Sequence, residues 1–394
     1  MYLFVIFFLL TLYVLAIRNR ISKYTRLADC MIGSLLFLFF VIRFNIGRDL
    51  ISYCVSFYVF KQEPYRVLEV AAHRNTLYFL LIGLCVKLFN DYRWVMLVFN
   101  VISLSLCAVT IYRNSKNMVF SWLILIGSGV LEVYYASGIR QMTAMSIFFF
   151  GFYTFLPKKK YVLYELFVLI AFLFHETVIV AAFIPLLIKA IPLLRKKPIK
   201  LTLYSAAVSI LFSLLIGFAL PKFLSIENIP WEYINVIGYF SKYAPSILGI
   251  GMEAVILAGT FYIYIQADKK EDSFLDLQYL TILFSVLIYF LFMGFPNISR
   301  VSDSIQIITI IYLPNLILLV PALKKRILCT ISVLCFNAFL LYADMSANLP
   351  AAGRDLNRDI SIQNDPYITV FNTKWIDASF EHYEWYPYHR HLTD

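Results

Sequence analysis

The chain has 394 residues, of which 61% are hydrophobic and only 15% are charged. A soluble domain averages about 25% charged residues, so this composition excludes an ordinary soluble enzyme and predicts an all-α polytopic membrane protein. The net charge of +10 falls largely in short clusters between apolar runs. The positive-inside bias of membrane proteins accounts for such clusters, and no nucleic-acid partner is expected.

The first apolar run, residues 1–17, has no basic residue before it and the segment RNRISKYTR after it. A secretory signal has the opposite order of charge and ends at a small-residue cleavage site. This run is therefore predicted to be a retained first membrane span.

Short basic clusters predict how the rest of the chain threads the membrane, because such loops face the cytoplasm. They are Arg18 to Arg26, Arg113 with Lys116, Lys158 to Lys160, Lys189 to Lys200, Lys269 with Lys270, and Lys324 to Arg326. Beyond Arg113, two apolar runs separate each cluster from the next, as an outgoing and a returning helix would.

Three apolar runs lie between Arg26 and Arg113, one more than a return to the cytoplasm allows. The shortest, residues 76–89, is interrupted by Lys87 and is interpreted as an interfacial or re-entrant helix, which is tolerated where protein buries it. The chain is then predicted to cross the membrane about twelve times, with both termini outside.

This threading predicts a single integral membrane domain over residues 1–394. Three segments are assigned to its outer side, where further interfacial or periplasmic helices are expected. They are 44–93, with the interfacial or re-entrant helix, 221–246, and the tail 344–394. No CxxC, HExxH or EF-hand pattern occurs in the chain, so neither a metal nor a cofactor is expected.

Charged residues collect at the outer ends of the predicted spans, where the positive-inside bias does not favour arginine. They are Arg43, Arg48, Asp49, Arg140, His175, Glu176, Arg300 and Asp303. An arginine at the centre of a membrane helix costs about 2.5–3.5 kcal/mol on insertion scales. An external anion is one reason for placing several arginines at one face.

The stretch RFNIGRDLISY follows the second span. Arg43 and Arg48 carry fork-shaped donors suited to phosphate oxygens, and Asp49 would orient them or accept a proton. Asp49 and Tyr53 are four residues apart and share a face if the segment is helical. The alternative is an Arg–Asp pair that only locks the end of a helix.

Two further arginines follow breaks in the apolar pattern. Arg140, after Gly138, has no acid within one turn and is predicted to bind an external anion, although Glu132 two turns earlier is an alternative partner. Arg300 follows a Pro-Asn break and is also a candidate anion ligand. Asp303 is predicted to cap the helix that follows it.

His175 and Glu176 interrupt an apolar stretch from Tyr161 to Ile188. A polar pair at a tight turn between two spans is costly unless it is used or paired. Histidine is the usual general base near neutral pH, so His175 is the favoured base and Asp49 the other candidate. The alternative is a turn that caps a helix.

In this order, the residues resemble the Wzy-type polysaccharide polymerases of the EpsG-like branch. The residues that carry the resemblance are Arg43, Gly47, Asp49 and Tyr53; Ile139, Arg140 and Gln141; Ala171, Phe174 and His175; Arg300; and Pro366 with Tyr367. The chain departs from the family pattern at Arg48, where a small hydroxyl residue is usual, and at Glu176, where Lys or Ser is usual.

The resemblance implies a metal-independent glycosyltransferase with a GT-C-like fold in the bacterial inner membrane. Its site would face the periplasm and polymerise repeat units of O-antigen, capsule or exopolysaccharide. Donor and acceptor would both be glycans linked to undecaprenyl pyrophosphate in the lipid bilayer, and a chain-length regulator of the same pathway is a further expected partner. Gln141 and Tyr367 join the arginines and Tyr53 as implied substrate ligands.

Two other classes of protein are alternatives to a polymerase. A flippase or transporter of lipid-linked oligosaccharide would place its charges near the midplane and carry internal repeats, whereas here the charges gather at one face. An O-antigen-ligase-like enzyme would carry its histidine on a long outer loop, and a membrane acyltransferase would draw its acyl donor from the cytoplasm. His175 lies in a short turn and not on a long loop, and this turn is predicted to face away from the cytoplasm.

Overall fold

The computed structural model describes residues 2–17, 23–43, 50–73, 75–128, 130, 138–223, 246–269, 272–293 and 298–355. No β-strand occurs in these residues. The α-helices are α1 Tyr2–Ile17, α2 Lys23–Val41, α3 Leu50–Gln62, α4 Arg66–His73, α5 Thr76–Leu88, α6 Arg93–Asn114, α7 Met118–Gly127, α8 Ile139–Phe155, α9 Tyr161–Phe174, α10 Ile191–Lys196, α11 Pro198–Phe223, α12 Ile247–Gln266, α13 Ser273–Leu291, α14 Ile298–Gln306, α15 Thr309–Leu318 and α16 Leu323–Asp355. The segments Leu156–Lys158 and Glu176–Ala190 are 3-10 helices.

Short polar side chains begin several of these helices by accepting hydrogen bonds from backbone N–H groups that have no partner within the helix. Asp272 accepts from two such groups at the start of α13. Asn117 accepts from one such group at the start of α7, and Ser246 accepts from one at the start of α12. The polar residues between apolar runs therefore define where the helices start.

The structure supports a membrane protein and leaves the number of crossings as a prediction. Among the described residues, six helices are long and apolar enough to span a membrane by length and composition. The pair α14 and α15, bent by 47°, makes a seventh if it is one broken span. Helices α5, α7 and α9 are apolar but shorter. The predicted twelve spans and GT-C-like architecture are not confirmed.

The outer segment 44–93 is largely helical where it is described, and it contains α3, α4 and α5. Helix α5 has 13 residues, and at 1.5 Å per residue it is about 20 Å long, short of the roughly 30 Å of a hydrocarbon core. Its interfacial or re-entrant position stays a prediction. Most of the predicted outer segments 221–246 and 344–394 lie outside the described residues.

The chain forms two compact units. The first comprises the described residues of Met1–Ile179 and Ile327–Asp394, and the second is Val180–Arg326. In the first, α8 packs between α6 and α9. Its nearly continuous burial reflects apolar side chains on one side and small hydroxyl residues on the other, which let helices approach closely. Thr143 of α8, for example, bonds Ser103 of α6 at 3.0 Å.

The second unit is built around α13, which contacts α11, α12 and α14. Near its start, the buried carboxylate of Asp276 accepts hydrogen bonds from Arg195 Nε and from the Tyr264 hydroxyl, both at 2.6 Å. Lys269 lies over the Tyr264 ring, with Nζ 3.7 Å from its centroid. These contacts join the ends of α10, α12 and α13 on the side that carries two of the basic clusters.

The side of the membrane that each loop faces is tested with reporter fusions. A reporter after Lys160 or Arg195 should read cytoplasmic, because both follow basic clusters, and one at Asn235 or the C-terminus should read periplasmic. A cytoplasmic reading at the C-terminus would contradict the twelve-span threading and place the outer-end charges on the opposite face.

Alanine substitutions at two glycines of α12 are predicted to have different effects on stability. A Cβ on Gly249 would overlap the hydroxyl oxygen of Tyr289, whereas a Cβ on Gly251 meets no atom within 4 Å. Gly249→Ala should therefore lower the free energy of unfolding by about 1–3 kcal/mol, and Gly251→Ala should be neutral or gain up to about 1 kcal/mol. Thermal unfolding in detergent measures both, and equal effects would contradict the packing described.

Candidate functional site

The side chain of Tyr78 in α5 brings together residues from three other helices. Its ring lies 6.2 Å from the Tyr53 ring in a T-shaped pair and 5.3 Å from the Phe99 ring. Arg140 places its guanidinium carbon 5.4 Å from the centroid of the same ring, within the range of a cation–π interaction. Two predicted substrate ligands, Tyr53 and Arg140, thus meet around one buried tyrosine.

Asn75, directly before α5, makes a second contact with Arg140. The side-chain amide of Asn75, oriented by its partners, accepts from Arg140 Nη1 at 3.2 Å and donates to Glu176 Oε2 at 2.8 Å. Asn75 is 9% exposed. We call Tyr53, Asn75, Tyr78, Arg140 and Glu176 the Arg140 cluster.

Helix α8 holds the backbone of Arg140 in place. Gly138 precedes the helix, and Arg140 is its second residue. Gln141, an implied substrate ligand, is buried to 1% exposure. Arg140 itself is only partly buried. The guanidinium thus projects from the start of a buried helix whose packing limits its movement.

Arg43 lies just beyond α2 and is 1% exposed. The amide of Asn100 in α6 donates to the carbonyl oxygens of Val41 at 3.1 Å and Arg43 at 2.9 Å. These carbonyls at a helix end have no partner within the helix, so Asn100 anchors the backbone there. Asn100 follows Phe99, which contacts Tyr78, so α6 links Arg43 to the Arg140 cluster.

His175 directly follows α9, has an extended backbone and is 8% exposed. Its Nδ1 lies 3.0 Å from Thr177 Oγ1 and accepts from the Thr177 backbone N–H at 3.4 Å. A ring tautomer with its proton on Nε2 fits both contacts, because Nδ1 is then an acceptor. His175 also caps the 3-10 helix Glu176–Ala190, the alternative that the sequence left open.

The structure does not bring every predicted site residue into the described part of the first unit. Arg48, Asp49 and Tyr367 lie outside the described residues. Arg300 is exposed in the first turn of α14, in the second unit. Asp303, expected to cap the following helix, lies inside α14 instead. That interpretation is wrong, since the helix begins at Ile298, before the acid rather than after it.

The second unit contains a buried carboxylate that sequence reasoning missed. Glu253 of α12 is 5% exposed and accepts from Ser302 at 3.0 Å and from Gln306 at 2.7 Å, both in α14. An acid is expensive inside an apolar helix. The signal was a single Glu in the apolar stretch of α12, and its partners could not be read from spacing.

Asn75 and Tyr78 were also missed. The available signal was the polar residues immediately before the apolar run 76–89, which include Asn75. Among the described residues, no group of three His, Cys, Asp or Glu side chains is placed to hold a metal ion. The Arg140 cluster instead contains one guanidinium and one carboxylate, and the neutral amide of Asn75 bonds to both.

Comparison with protein families identifies the family of this chain. Residues 26–353 match the EpsG family. Of the predicted site residues, Tyr367 alone lies beyond this range. Comparisons with curated proteins and with solved structures found no match. Because the match covers well over half of the chain, this protein belongs to the EpsG family, a family of Wzy-type polysaccharide polymerases.

Proposed function

We propose that this chain polymerises oligosaccharide repeat units linked to undecaprenyl pyrophosphate, at the periplasmic face of the bacterial inner membrane. Membership of the EpsG family supports a membrane polysaccharide polymerase. The Arg140 cluster is the observation that carries the finer proposal. A guanidinium held over an aromatic face and by an amide is preorganised to meet an anion, and guanidinium geometry matches phosphate oxygens.

The proposed reaction is a metal-independent glycosyl transfer with a GT-C-like architecture. A hydroxyl oxygen of the incoming lipid-linked unit bonds to the anomeric carbon of the growing glycan. The bond from that carbon to the pyrophosphate oxygen breaks, and undecaprenyl pyrophosphate leaves with the electron pair. Arg140, Arg43 and Arg48 are proposed to neutralise the charge that develops there, because electrostatic stabilisation is the largest single contribution to catalysis in many enzymes. Arg300, in the second unit, is proposed separately as a ligand for an anionic group of the substrate.

The acceptor hydroxyl must lose its proton as the new bond forms. The sequence favours His175 as the base, but the hydrogen bonds at Nδ1 support a neutral ring that donates through Nε2. We therefore assign the base to Asp49, and to His175 a hydrogen bond to a substrate oxygen. Tyr53, Gln141 and Tyr367 are proposed to contact the sugars or the pyrophosphate. A chain-length regulator remains a proposed partner.

The role of Arg140 is tested by Arg140→Lys. Lysine keeps the positive charge but loses the planar fork and the stacking on Tyr78, so polymerisation should fall about tenfold or more at an unchanged protein level. Polymer length distributions from cells that carry the variant, with membrane protein quantified, provide the measurement. Arg113→Lys, at the exposed end of α6, is the matched control and should be fully active. Wild-type polymer from Arg140→Lys would contradict a role for the guanidinium in recognising pyrophosphate.

The role of His175 is tested with two substitutions. Glutamine can present an amide N–H near the position of Nε2 and cannot act as a base, whereas alanine does neither. If His175 is a donor, His175→Gln should retain far more turnover than His175→Ala. Asp49→Asn should lose about 10²–10⁴-fold, the usual contribution of a general base. Equal loss in His175→Gln and His175→Ala, with normal binding of undecaprenyl pyrophosphate, would return the base role to His175.

A further inference from the structure

Three segments that are distant in the sequence meet at one amide. Asn75 precedes α5, Arg140 begins α8, and Glu176 follows α9. The amide accepts from Arg140 Nη1 at 3.2 Å and donates to Glu176 Oε2 at 2.8 Å. The amide is buried, Arg140 is half-buried and Glu176 is exposed. Hydrogen bonds to charged groups are stronger than neutral ones, so both bonds restrain their partners.

The backbone of Asn75 is itself constrained. Its φ of 47° and ψ of 46° lie in the left-handed region, which few residues other than glycine adopt and in which asparagine is enriched. Thr76 at the start of α5 ties its own side chain to the carbonyl of Ala71 at 2.8 Å. The amide is therefore presented from a turn that is closed by the hydrogen bond between Thr76 and Ala71.

The neutrality of the amide determines how Arg140 and Glu176 interact. A carboxylate bonded directly to the guanidinium would compete with an anionic ligand for the same charge. An amide between the two side chains orients both of them without placing a second negative charge on Arg140. Combined with the Tyr78 ring 5.4 Å away, it restrains the guanidinium from two directions.

We propose that Asn75 is the positioning residue for Arg140, holding its guanidinium between Tyr78 and the Glu176-bound amide for the pyrophosphate of a lipid-linked substrate. This inference rests on the proposed function, since the anion is the one named there. Asn75 acts through Arg140 and is not itself assigned a contact with substrate. Its two parts, the left-handed backbone and the amide, can be removed separately.

The first test separates backbone from amide by substitution with glycine and alanine. The full chain is purified in detergent, and undecaprenyl pyrophosphate is the binding probe. Asn75→Gly keeps the left-handed backbone and loses the amide, whereas Asn75→Ala loses both. Both variants should bind the probe roughly tenfold more weakly. Only Asn75→Ala should show a clearly lower unfolding temperature.

The second test exchanges the charges. Asn75→Asp puts a carboxylate against both Arg140 and Glu176, so binding of the probe should fall by about tenfold or more. Glu176→Gln keeps an acceptor for the Asn75 amide and should have a small effect. In the double variant, the amide introduced at position 176 donates to the carboxylate introduced at position 75. This relieves the repulsion and restores the net charge of the three groups, but a carboxylate still accepts from Arg140. The unfolding temperature should therefore recover, whereas the affinity for the probe should stay near that of Asn75→Asp, a split that a purely structural role of Asn75 would not produce.

The outcomes distinguish this inference from the proposed function. If Arg140→Ala abolishes probe binding while Asn75→Gly binds as tightly as the wild type, Asn75 does not position Arg140 and the inference fails alone. A double variant that binds the probe as tightly as the wild type would overturn it as well, because a neutral amide at position 75 would then not be needed. If Arg140→Ala also binds the probe normally, the pyrophosphate site itself is wrong, and both proposals fall. Undecaprenyl monophosphate serves as the comparison ligand for the second phosphate.

Discussion

Hydrocarbon supplies no hydrogen-bond partners, so the polar groups of helices buried inside a membrane protein must be satisfied by the protein itself. Thr143, Ser146 and Thr281 do this locally, by donating to carbonyls one turn earlier in their own helices. Asn100 does it over a longer distance by closing the end of α2. The same constraint determines which helices can lie side by side and where charges are tolerated, and it leaves charge at helix ends and turns.

The candidate site follows from that constraint. Its arginine begins a buried helix, its tyrosine lies within a short helix, and its asparagine occupies the turn before that helix. None of these positions leaves a charge facing lipid without a partner. Preorganisation of this kind lowers the cost of ordering a site at the moment of reaction. In the reaction proposed above, the pyrophosphate would leave toward a guanidinium that is already held in place.

The sequence predicted the class of protein, the family and several residues that meet in the first unit. Composition and basic clusters are read along the chain, so they identify helices and their ends. Contacts between segments that are distant in the sequence cannot be read along the chain in this way. Tyr78 lies in an apolar run that was interpreted from its hydropathy alone. The contacts of Glu253 with Ser302 and Gln306 could not be predicted without the fold. Asp303 was misassigned because a helix start was placed a few residues late. The number of crossings stays a prediction because several apolar helices are shorter than a span.

The left-handed backbone at Asn75 also restricts which mutations this position accepts. Glycine satisfies the backbone but brings no amide, and glutamine brings an amide without the same tolerance for that conformation. Single-base changes in an asparagine codon lead to Asp, His, Ile, Lys, Ser, Thr or Tyr. Aspartate tolerates the backbone but reverses the donor to Glu176 and adds a charge. None of these single-base changes keeps both a residue that favours the left-handed backbone and a neutral amide, which should slow sequence change at this turn.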